Sequence, residues 1–425
     1  MEKPMNSVAS LPKKKNRMSM LSQMAKSIVL KQLKKLHTGC IVIRDNGEVM
    51  RFGEPLDKGD DLYGELTIED AHTYSDIMTG GSIGAAEAYM TGDWTTPDLT
   101  RLMRVMVRNM DILNGLEGGL AKISKPFLKG FHWLNQNTEK GSRRNIAAHY
   151  DLGNDFFKLF LDPTMMYSSG IFPSEEATME QASLNKLRTI CEKLNLTADD
   201  HVVEIGTGWG SFAVYAAKHY GCKVTTTTIS EQQYLYAQQQ VRAEGLEDKI
   251  TLLKEDYRKL DGQFDKLVSI EMIEAVGWKF FDTFFAKCAS LLKPEGVMLV
   301  QAITIEDQRY EQAKNDVDFI QRYIFPGSCI PSIAAMTDST KRSSDLRLVQ
   351  LQDYAQHYSR TLKAWQVAFN AQEKAITEQG YSEDFQRMWR FYLSYCEAGF
   401  AERAIGVSHL VFGKPQYRDE TLFNV

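Results

Sequence analysis

The pattern of hydrophobic and polar positions changes near residue 146 of this chain. From there, short apolar runs alternate with amphipathic segments of helical period, which predicts strands separated by helices. The predicted strands are 202–205, 223–228, 250–253, 266–270, 297–305 and a last one near 408–412. Helices such as 211–219 and 230–243 lie between them, and residues 306–395 read as a polar helical insertion. This order predicts an α/β fold with a parallel, doubly wound sheet, whose ligands bind beyond the carboxyl ends of the strands.

The residues before this alternation predict a small N-terminal domain. Alternating apolar positions flank Asp45-Asn-Gly47, a strong signal for a β-hairpin. A helical stretch follows near 68–79, and residues 111–145 have the Gly-, Lys- and Asn-rich composition of a connector. We therefore expect a basic segment at 1–40, a small domain with its connector at 41–140, and the α/β domain at 141–425.

The basic segment differs in charge from the rest of the chain. The first 40 residues carry nine basic side chains and one acidic side chain, so this segment has a charge of +8 and the rest −13. Residues 18–36 predict an amphipathic helix, whose apolar face holds Met20, Leu21, Met24, Ile28 and Leu36. Such a helix can lie on an anionic membrane surface, although a solvated tail or a helix packed on the body fits the same pattern. Because no base-reading module follows and the body is acidic, nucleic acid is not the expected partner.

The composition is that of a globular protein with a large core, with 43% hydrophobic and 25% charged residues. No apolar run reaches the roughly eighteen residues of a transmembrane helix, and no secretory signal is evident. The six cysteines form no C-x-x-C pair, so neither a metal site nor a disulfide framework is expected. With the basic head, these features predict a cytoplasmic protein that is peripheral at the inner face of the membrane.

The most informative motif follows the first strand of the α/β domain. Glu204 lies near the end of an apolar run, and Gly206, Gly208 and Gly210 follow at alternate positions. Glycines let a ligand approach the backbone closely, and the acid is placed to meet a cationic group. A dinucleotide fingerprint would need glycine where Ser211 stands, so the spacing favours the methyltransferase pattern E-x-G-x-G-x-G and the cofactor S-adenosylmethionine (SAM). A plain strand-to-helix turn is the alternative.

Polar side chains also follow the next two strands, where a nucleotide cofactor would be contacted. The second strand ends without an acid, so Thr228 or Gln233 can supply hydrogen bonds, while Ser230 can cap the following helix. The third strand ends in Asp256 and Tyr257, which can contact adenine by hydrogen bonding or stacking. The same pair is also typical of a surface turn.

The fourth strand ends near two acids, Glu271 and Glu274. An acid at the mouth of a cofactor site can steer a substrate or bind a catalytic group. A solvated acid at a helix start, stabilised by the helix dipole, is the alternative. The placement of Glu274 favours a functional role.

Several motifs in order resemble the cyclopropane-fatty-acyl-phospholipid synthase family, which includes the mycolic acid cyclopropane synthases. They are His149-Tyr-Asp-Leu-Gly-Asn-Asp-Phe-Phe157, Tyr167-Ser168, Glu204-x-Gly-x-Gly-Trp-Gly210, Asp256-Tyr-Arg258, Glu274-x-Val-Gly277 and Tyr323-Ile-Phe-Pro326. The resemblance covers residues from about 60 to 412. It implies a class I SAM-dependent methyltransferase domain, a small lipid-engaging N-terminal domain, and methyl transfer to the cis double bond of a phospholipid acyl chain.

The resemblance also implies site residues. By matching position, the cofactor would be lined by Tyr167, Ser168, Gly206, Gly208, Thr228, Ile229, Gln233 and Tyr257. The family holds a bicarbonate ion as base, and Glu274 and Tyr358 match its glutamate and tyrosine. Ser169 stands in place of its cysteine, Gln301 in place of its histidine, and Ala275 in place of the histidine after the glutamate.

These departures bear on the product. The alkene attacks the sulfonium methyl group and leaves a carbocation, from which a base removes a proton. A proton taken from the transferred methyl closes a cyclopropane; one taken from a neighbouring carbon gives a methyl-branched or methylene product. Ser169 and Gln301 can hydrogen-bond an oxyanion, but neither carries charge as histidine does. We expect cyclopropane fatty acids by default and methyl-branched or methylated-diene fatty acids as the alternative; a catalytically silent lipid- or SAM-binding protein and a homodimer are further possibilities.

Overall fold

The computed structural model describes residues 20–54, 62–112 and 152–418. These residues divide into two compact units. The first holds 20–54, 62–112, Asp316–Ile324 and Leu362–Ala404, and the second holds 152–315, Phe325–Thr361 and 405–418. The predicted domain boundary near residue 140 lies outside the described residues, as do residues 113–145 of the predicted connector and residues 149–151 of the first family motif.

Helices and strands alternate through most of the described ranges. The helices are α1 (Met20–Leu33), α2 (His72–Thr91), α3 (Leu99–Val107), α4 (Asn154–Phe157), α5 (Met179–Lys193), α6 (Ser211–Tyr220), α7 (Glu231–Ala243), α8 (Phe281–Leu291), α9 (Asp307–Ala313), α10 (Ile333–Ser343), α11 (Ala355–Ala371), α12 (Glu373–Glu378) and α13 (Glu383–Ala401). The strands are β1 (Cys40–Asp45), β2 (Glu48–Gly53), β3 (Tyr63–Ile68), β4 (Trp94–Thr95), β5 (His201–Ile205), β6 (Lys223–Thr227), β7 (Ile250–Leu253), β8 (Phe264–Ile270), β9 (Leu292–Ile305), β10 (Arg347–Asp353) and β11 (Ile405–Gly413). Single turns of 3₁₀-helix occur at Tyr257–Lys259, Ile273–Ala275 and Trp278–Phe280, and a π-helical turn occurs at Ile320–Ile324.

The first unit contains a four-stranded sheet of order β2-β1-β3-β4. Strands β1 and β2 form the predicted antiparallel hairpin. Its turn residues Asn46 and Gly47 both have positive φ, 48° and 82°, as a tight hairpin turn of type I′ requires. Helix α1 packs on α2, and α13 packs on both α2 and α3.

The second unit contains a seven-stranded sheet of order β10-β11-β9-β8-β5-β6-β7. The five adjacent strands β9, β8, β5, β6 and β7 are parallel to one another. Strand β11 runs antiparallel to both of its neighbours, β9 and β10. The chain enters at β5, adds β6 and β7 on one side, and continues with β8 on the other. The predicted doubly wound α/β fold is therefore confirmed, and the switch point at which such folds bind ligands lies between β5 and β8.

Apolar side chains cover both faces of the large sheet. One layer packs α8 on the sheet through Phe284 and Phe285. The opposite layer packs α5 and α6 on it through Ile190 and Phe212. Within the described ranges, no helix combines the length and hydropathy needed to cross a bilayer.

Two predicted elements differ from the structure. The helix predicted at 68–79 begins at His72 and continues to Thr91, because Gly81 (φ 59°, ψ −135°) kinks α2 without ending it. The insertion at 306–395 is not wholly helical, since β10 lies inside it at the edge of the sheet. An edge strand with exposed residues on both faces lacks the apolar alternation by which strands are recognised.

The predicted apolar face of the first helix is also corrected in part. Met20, Met24 and Ile28 are exposed on α1, with exposed fractions of 90%, 57% and 38%. Leu36, which the sequence pattern places on the same face, is buried after the end of the helix. The exposed apolar stripe therefore consists of three described residues, and the side chain of Leu21 lies outside what the structure describes.

Candidate active site

Glycines at left-handed backbone angles shape the turn between β5 and α6. Gly206 has a φ of +100°, and Gly210, which precedes α6, has a φ of +95°. A Cβ on Gly206 would lie 3.2 Å from Met272 Cγ, and one on Gly210 would lie 3.0 Å from Ala237 Cβ. At Gly208, no described atom lies within 4 Å of the Cβ position, so the backbone is open to a ligand there.

The segment before the sheet braces this turn. Trp209 donates its indole N–H to Asn154 Oδ1 at 2.8 Å, and its ring lies 5.1 Å from that of Phe157. Phe157 also packs on the ring of Tyr167, with centroids 5.2 Å apart. The described part of the first family motif thus brings Tyr167, a predicted cofactor contact, close to the residues that support the glycine turn.

Glu204 is buried in β5 and belongs to a chain of hydroxyl groups. Its Oε2 accepts a hydrogen bond from the Thr226 hydroxyl at 2.6 Å, and that hydroxyl accepts one from Thr207 at 2.7 Å. Burial raises the pKa of Glu204 to about 8, so at neutral pH the carboxyl is largely protonated. A cation beside it would favour the charged form, as the predicted contact with the ammonium group of SAM requires.

The end of β6 combines a helix cap with a side-chain pair. The Thr228 hydroxyl donates to Gln233 Oε1 at 2.9 Å, and Ile229 is half-buried beside it. The Ser230 hydroxyl accepts from the Gln233 N–H at 3.3 Å and caps α7. The predicted cap is therefore confirmed, while contacts of Thr228, Ile229 and Gln233 with a cofactor stay predictions.

The end of β7 assigns different roles to Asp256 and Tyr257. Both carboxylate oxygens of Asp256 pair with Arg258, at 2.8 Å from Nε and 2.6 Å from a terminal nitrogen. The Tyr257 hydroxyl is buried without a hydrogen-bond partner among the described residues, and its ring packs edgewise on Phe284. Since an unpaired buried hydroxyl is costly, a ligand atom at this position would be stabilised. Contacts of Asp256 and Tyr257 with adenine stay predictions, since a carboxylate paired with one arginine can accept further hydrogen bonds.

The carboxylate of Glu271 accepts hydrogen bonds from three of the four predicted catalytic residues. Its Oε1 accepts from the backbone N–H of Ser169 at 2.9 Å and from Nε2 of Gln301 at 2.7 Å. Its Oε2 accepts from the Tyr358 hydroxyl at 2.6 Å. The Ser169 hydroxyl, which was expected to contact an oxyanion, donates instead to the carbonyl oxygen of Gly170. Burial raises the pKa of the Glu271 carboxyl, and the nearby charge of Lys186 together with these three donors opposes that effect.

Glu271 also has an unusual backbone conformation. It lies directly after β8 with a φ of +47°, in the left-handed region that favours glycine. Residues kept in such conformations cost about 1–3 kcal/mol and cluster at functional sites. The chain therefore carries a glutamate at a position where the backbone conformation favours glycine.

Gln301 is oriented by a buried histidine on the neighbouring strand. His409 Nε2 lies 2.9 Å from Gln301 Oε1, which can only accept, so Nε2 carries the proton. Burial lowers the pKa of His409 well below its usual value, so the ring is neutral. This contact fixes the Gln301 amide with its nitrogen toward Glu271. No signal in the sequence points to His409, because its contact with Gln301 joins positions 108 residues apart.

Glu274 lies close to this cluster in sequence but hydrogen-bonds elsewhere. Its Oε1 accepts from the backbone N–H of Ile303 at 2.5 Å, and its Oε2 is buried without a hydrogen-bond partner among the described residues. Burial, and next the like charge of Glu271, raise the pKa of Glu274 to about 8. Glu274 and Glu271 thus lie in unlike surroundings, because the charge of Lys186 favours the ionised form of Glu271 while the charge of Glu271 disfavours the ionised form of Glu274. Such unlike neighbours are typical of acid–base sites.

Lys186 is a buried cation beside the cluster. Its Nζ donates to the Ser168 hydroxyl at 2.6 Å, and none of its side chain is exposed. Burial lowers the pKa of Lys186 to about 8, against the opposing charges of Glu271 and Asp162. Ser168, a predicted cofactor contact, is therefore held by a lysine that also stabilises the charge of Glu271.

The raised pKa of Glu274 predicts a pH-dependent stability. The pKa of Glu274 in the folded protein, about 8, exceeds the ordinary value of 4.5. Its contribution to the free energy of unfolding is therefore fully present below pH 4.5 and is lost as the pH rises through 8. The loss is at most about 1.4 kcal/mol for each pH unit of that interval. We therefore expect the stability of Glu274→Gln, measured by thermal unfolding, to fall less between roughly pH 5 and pH 8 than the stability of the unsubstituted chain. If the stability of both proteins changed with pH in the same way, the raised pKa of Glu274 would be contradicted.

Relatives of known activity match most of the chain. A family model described as mycolic acid cyclopropane synthetase matches residues 137–410. The tuberculostearic acid methyltransferase of Mycobacterium tuberculosis is 36% identical over 338 residues, which cover 75% of this chain and 76% of that protein. The cyclopropane-fatty-acyl-phospholipid synthase of Escherichia coli is 35% identical over 355 residues, which cover 82% of this chain and 88% of that protein.

Solved structures agree with these matches. The cyclopropane synthase MmaA2 of Mycobacterium tuberculosis superposes with a TM-score of 0.60 at 30% identity, covering 64% of this chain and 98% of that one. The mycolic acid cyclopropane synthase CmaA1, crystallised with S-adenosylhomocysteine, gives a TM-score of 0.59 at 30% identity, with the same coverage. The chain is therefore a SAM-dependent methyltransferase and belongs to the mycolic acid cyclopropane synthetase family.

Proposed function

We propose that this enzyme methylates the cis double bond of unsaturated phospholipid acyl chains and forms cyclopropane fatty acids by default. The observation that carries the proposal is the buried Glu271 carboxylate with its three donors, placed at the switch point of the sheet near the glycine turn. Methylation of an alkene leaves a carbocation, and its quenching needs a base held away from water. The named activities of the two curated relatives support an acyl-chain substrate.

The residues of the glycine turn fit the cofactor. Bound SAM supplies an electrophilic methyl group on a sulfonium. Gly206 and Gly208 leave room for its backbone contacts, Glu204 is placed for its ammonium group, and Tyr257 offers a buried hydroxyl toward adenine. Asp256 would act through its pairing with Arg258, which holds the turn that carries Tyr257.

The arrangement around Glu271 also favours a second candidate product. A base that is fixed to the protein backbone takes the proton that lies nearest to it, and that proton decides the product. If Glu271 faces a carbon beside the former double bond, an unsaturated methyl-branched fatty acid results, or a methylated diene where the acyl chain already carries a second double bond. The departures at Ser169 and Gln301 from the family pattern motivate this candidate, which uses the same fold and cofactor.

The function is tested by measuring S-adenosylhomocysteine release with defined vesicles. The purified chain is incubated with SAM and vesicles of either monounsaturated or fully saturated phosphatidylglycerol and phosphatidylethanolamine. Release with the unsaturated lipid alone is expected, because the saturated chains offer no alkene to attack the methyl group. Equal release with both lipids, or release with neither, contradicts the proposal.

A membrane-binding surface on α1 would bring the enzyme to this substrate at the cytoplasmic face. Met20, Met24 and Ile28 recur at four-residue intervals, so they lie along one side of the helix, and all three are exposed. Lys31, in the last turn of α1, and Lys35, two residues after its end, are also exposed. An apolar stripe that ends in lysines matches the boundary between acyl chains and anionic headgroups.

Charged substitutions in this stripe are expected to weaken vesicle binding. Burying one methionine side chain contributes about 1.5–3 kcal/mol, so Met20→Glu with Met24→Glu is expected to reduce binding at least about tenfold. The measurement is co-sedimentation with vesicles that contain phosphatidylglycerol. Val367→Glu is the matched control, because Val367 is an exposed apolar residue (65% exposed) on another helix. This variant should bind the vesicles as the unsubstituted protein does. Equal binding of all three proteins would exclude α1 as the membrane surface.

A further inference from the structure

The bicarbonate ion implied by the family resemblance does not fit this chain. Of the four positions expected to hold it, Ser169, Gln301 and Tyr358 all donate hydrogen bonds to the carboxylate of Glu271. The fourth, Glu274, is bonded to the backbone of Ile303. The donors that would hold a planar oxyanion are therefore already occupied by one that belongs to the protein.

We infer that Glu271 is a built-in base that takes the place of bicarbonate, an inference that rests on the proposed function. Like bicarbonate, the carboxylate presents two oxygens in a plane, here held from both sides by donors from three separate segments of the chain. Lys186 provides a buried positive charge beside it. The position is otherwise suited to glycine, since the φ of Glu271 is +47°. Glu271 is in this sense a catalytic residue, and the donors around it are positioning residues.

The proposed reaction needs no reactant other than SAM and the unsaturated lipid. A carbon–carbon bond forms between the alkene and the methyl group as the sulfur–methyl bond breaks, which leaves neutral S-adenosylhomocysteine and a carbocation on the lipid. Glu271 then accepts one proton. If it comes from the transferred methyl group, the electrons of that C–H bond close the three-membered ring onto the cationic carbon; if it comes from a carbon next to the cationic centre, they form a double bond. The proton leaves Glu271 for water after the product departs.

The test compares Glu271→Gly with the unsubstituted enzyme in buffers freed of carbon dioxide. Glycine relieves the backbone angle, which offsets part of the cost of leaving three buried donors and Lys186 without the carboxylate, and thermal unfolding checks that the variant is folded. Removing a general base costs roughly 10²–10⁴-fold in rate, so turnover of unsaturated vesicles should fall by that factor. Added bicarbonate or formate should restore part of it, because either anion can occupy the space that the side chain leaves. The unsubstituted enzyme should run at the same rate with and without bicarbonate.

Two controls separate the outcomes. Asn195→Gly changes an exposed residue with nearly the same φ, +48°, and should keep full activity. Calorimetric titration of bicarbonate into the S-adenosylhomocysteine complex needs no lipid, and binding is expected to Glu271→Gly alone. Bicarbonate binding or bicarbonate dependence in the unsubstituted enzyme would overturn the inference, as would full activity of Glu271→Gly without bicarbonate. If the proposed lipid substrate were wrong, the unsubstituted enzyme would be inactive in every buffer while the titration result stood.

Discussion

Gly206→Val is expected to lower the affinity for SAM at least about hundredfold, or about 2.7 kcal/mol. Two effects add. Valine is β-branched and does not tolerate a φ of +100°, and its Cβ would press on Met272, 3.2 Å away. The turn would have to shift, and the backbone that is open to the ligand at Gly208 would shift with it. Calorimetric titration with SAM measures the loss.

A glycine outside the site is the matched control for this substitution. Gly245 follows α7 with a φ of +64°, and no described atom lies within 4 Å of its Cβ position. Gly245→Val should therefore carry a similar backbone penalty but bind SAM normally. Unchanged SAM affinity in Gly206→Val would contradict the assignment of the cofactor to this turn.

Lys186→Met is expected to lower turnover at neutral pH by roughly ten- to a hundredfold, or about 1.4–2.7 kcal/mol. The positive charge of Lys186 lowers the pKa of Glu271 and so opposes the larger effect of burial, which raises it. Without that charge, the pKa of Glu271 rises further and less of the carboxylate is available as base. The acidic limb of the pH–rate profile should therefore move to higher pH, and raising the pH should recover part of the lost rate.

A second buried lysine on the same helix separates this electrostatic effect from a loss of packing. Lys193 is 1% exposed and donates to Gln352 at 2.7 Å, and burial lowers its pKa to about 8 as well. Lys193→Met should reduce stability without moving the pH–rate profile. A profile for Lys186→Met that matches the unsubstituted enzyme would mean that Lys186 does not set the charge of Glu271.

Much of the fold could be predicted because its signals are local. The hairpin at Asp45–Gly47 follows from two adjacent residues that tolerate positive φ, and the cap at Ser230 from one hydroxyl before a helix. The alternation of apolar strands and amphipathic helices defines the doubly wound sheet in the same way. Strand β10 was missed because it is recognised by its pairing with β11, more than fifty residues later, and not by its own pattern.

The candidate site around Glu271 could be predicted only in part, because its contacts join distant segments. Matching positions in the family indicate Ser169, Gln301 and Tyr358 one by one, with Glu274 as the acid. The structure brings the three together around Glu271 instead, through contacts that span 30, 87 and 102 residues of sequence. The available signal was an acid directly after the fourth strand, at the switch point of the sheet. Sequence alone does not show that its backbone is left-handed or that its carboxylate is surrounded by donors.

The central claim is methyl transfer to an acyl double bond, and the most direct measurement follows the labelled methyl carbon into lipid. The enzyme is incubated with SAM carrying ¹³C in its methyl group and with monounsaturated vesicles. Acyl chains are then analysed by gas chromatography–mass spectrometry before and after mild hydrogenation. We predict labelled chains that have gained one carbon and resist hydrogenation, as a cyclopropane does; labelled chains that take up hydrogen would select the second candidate product. No label in any acyl chain, from enzyme that binds SAM normally, would contradict the account.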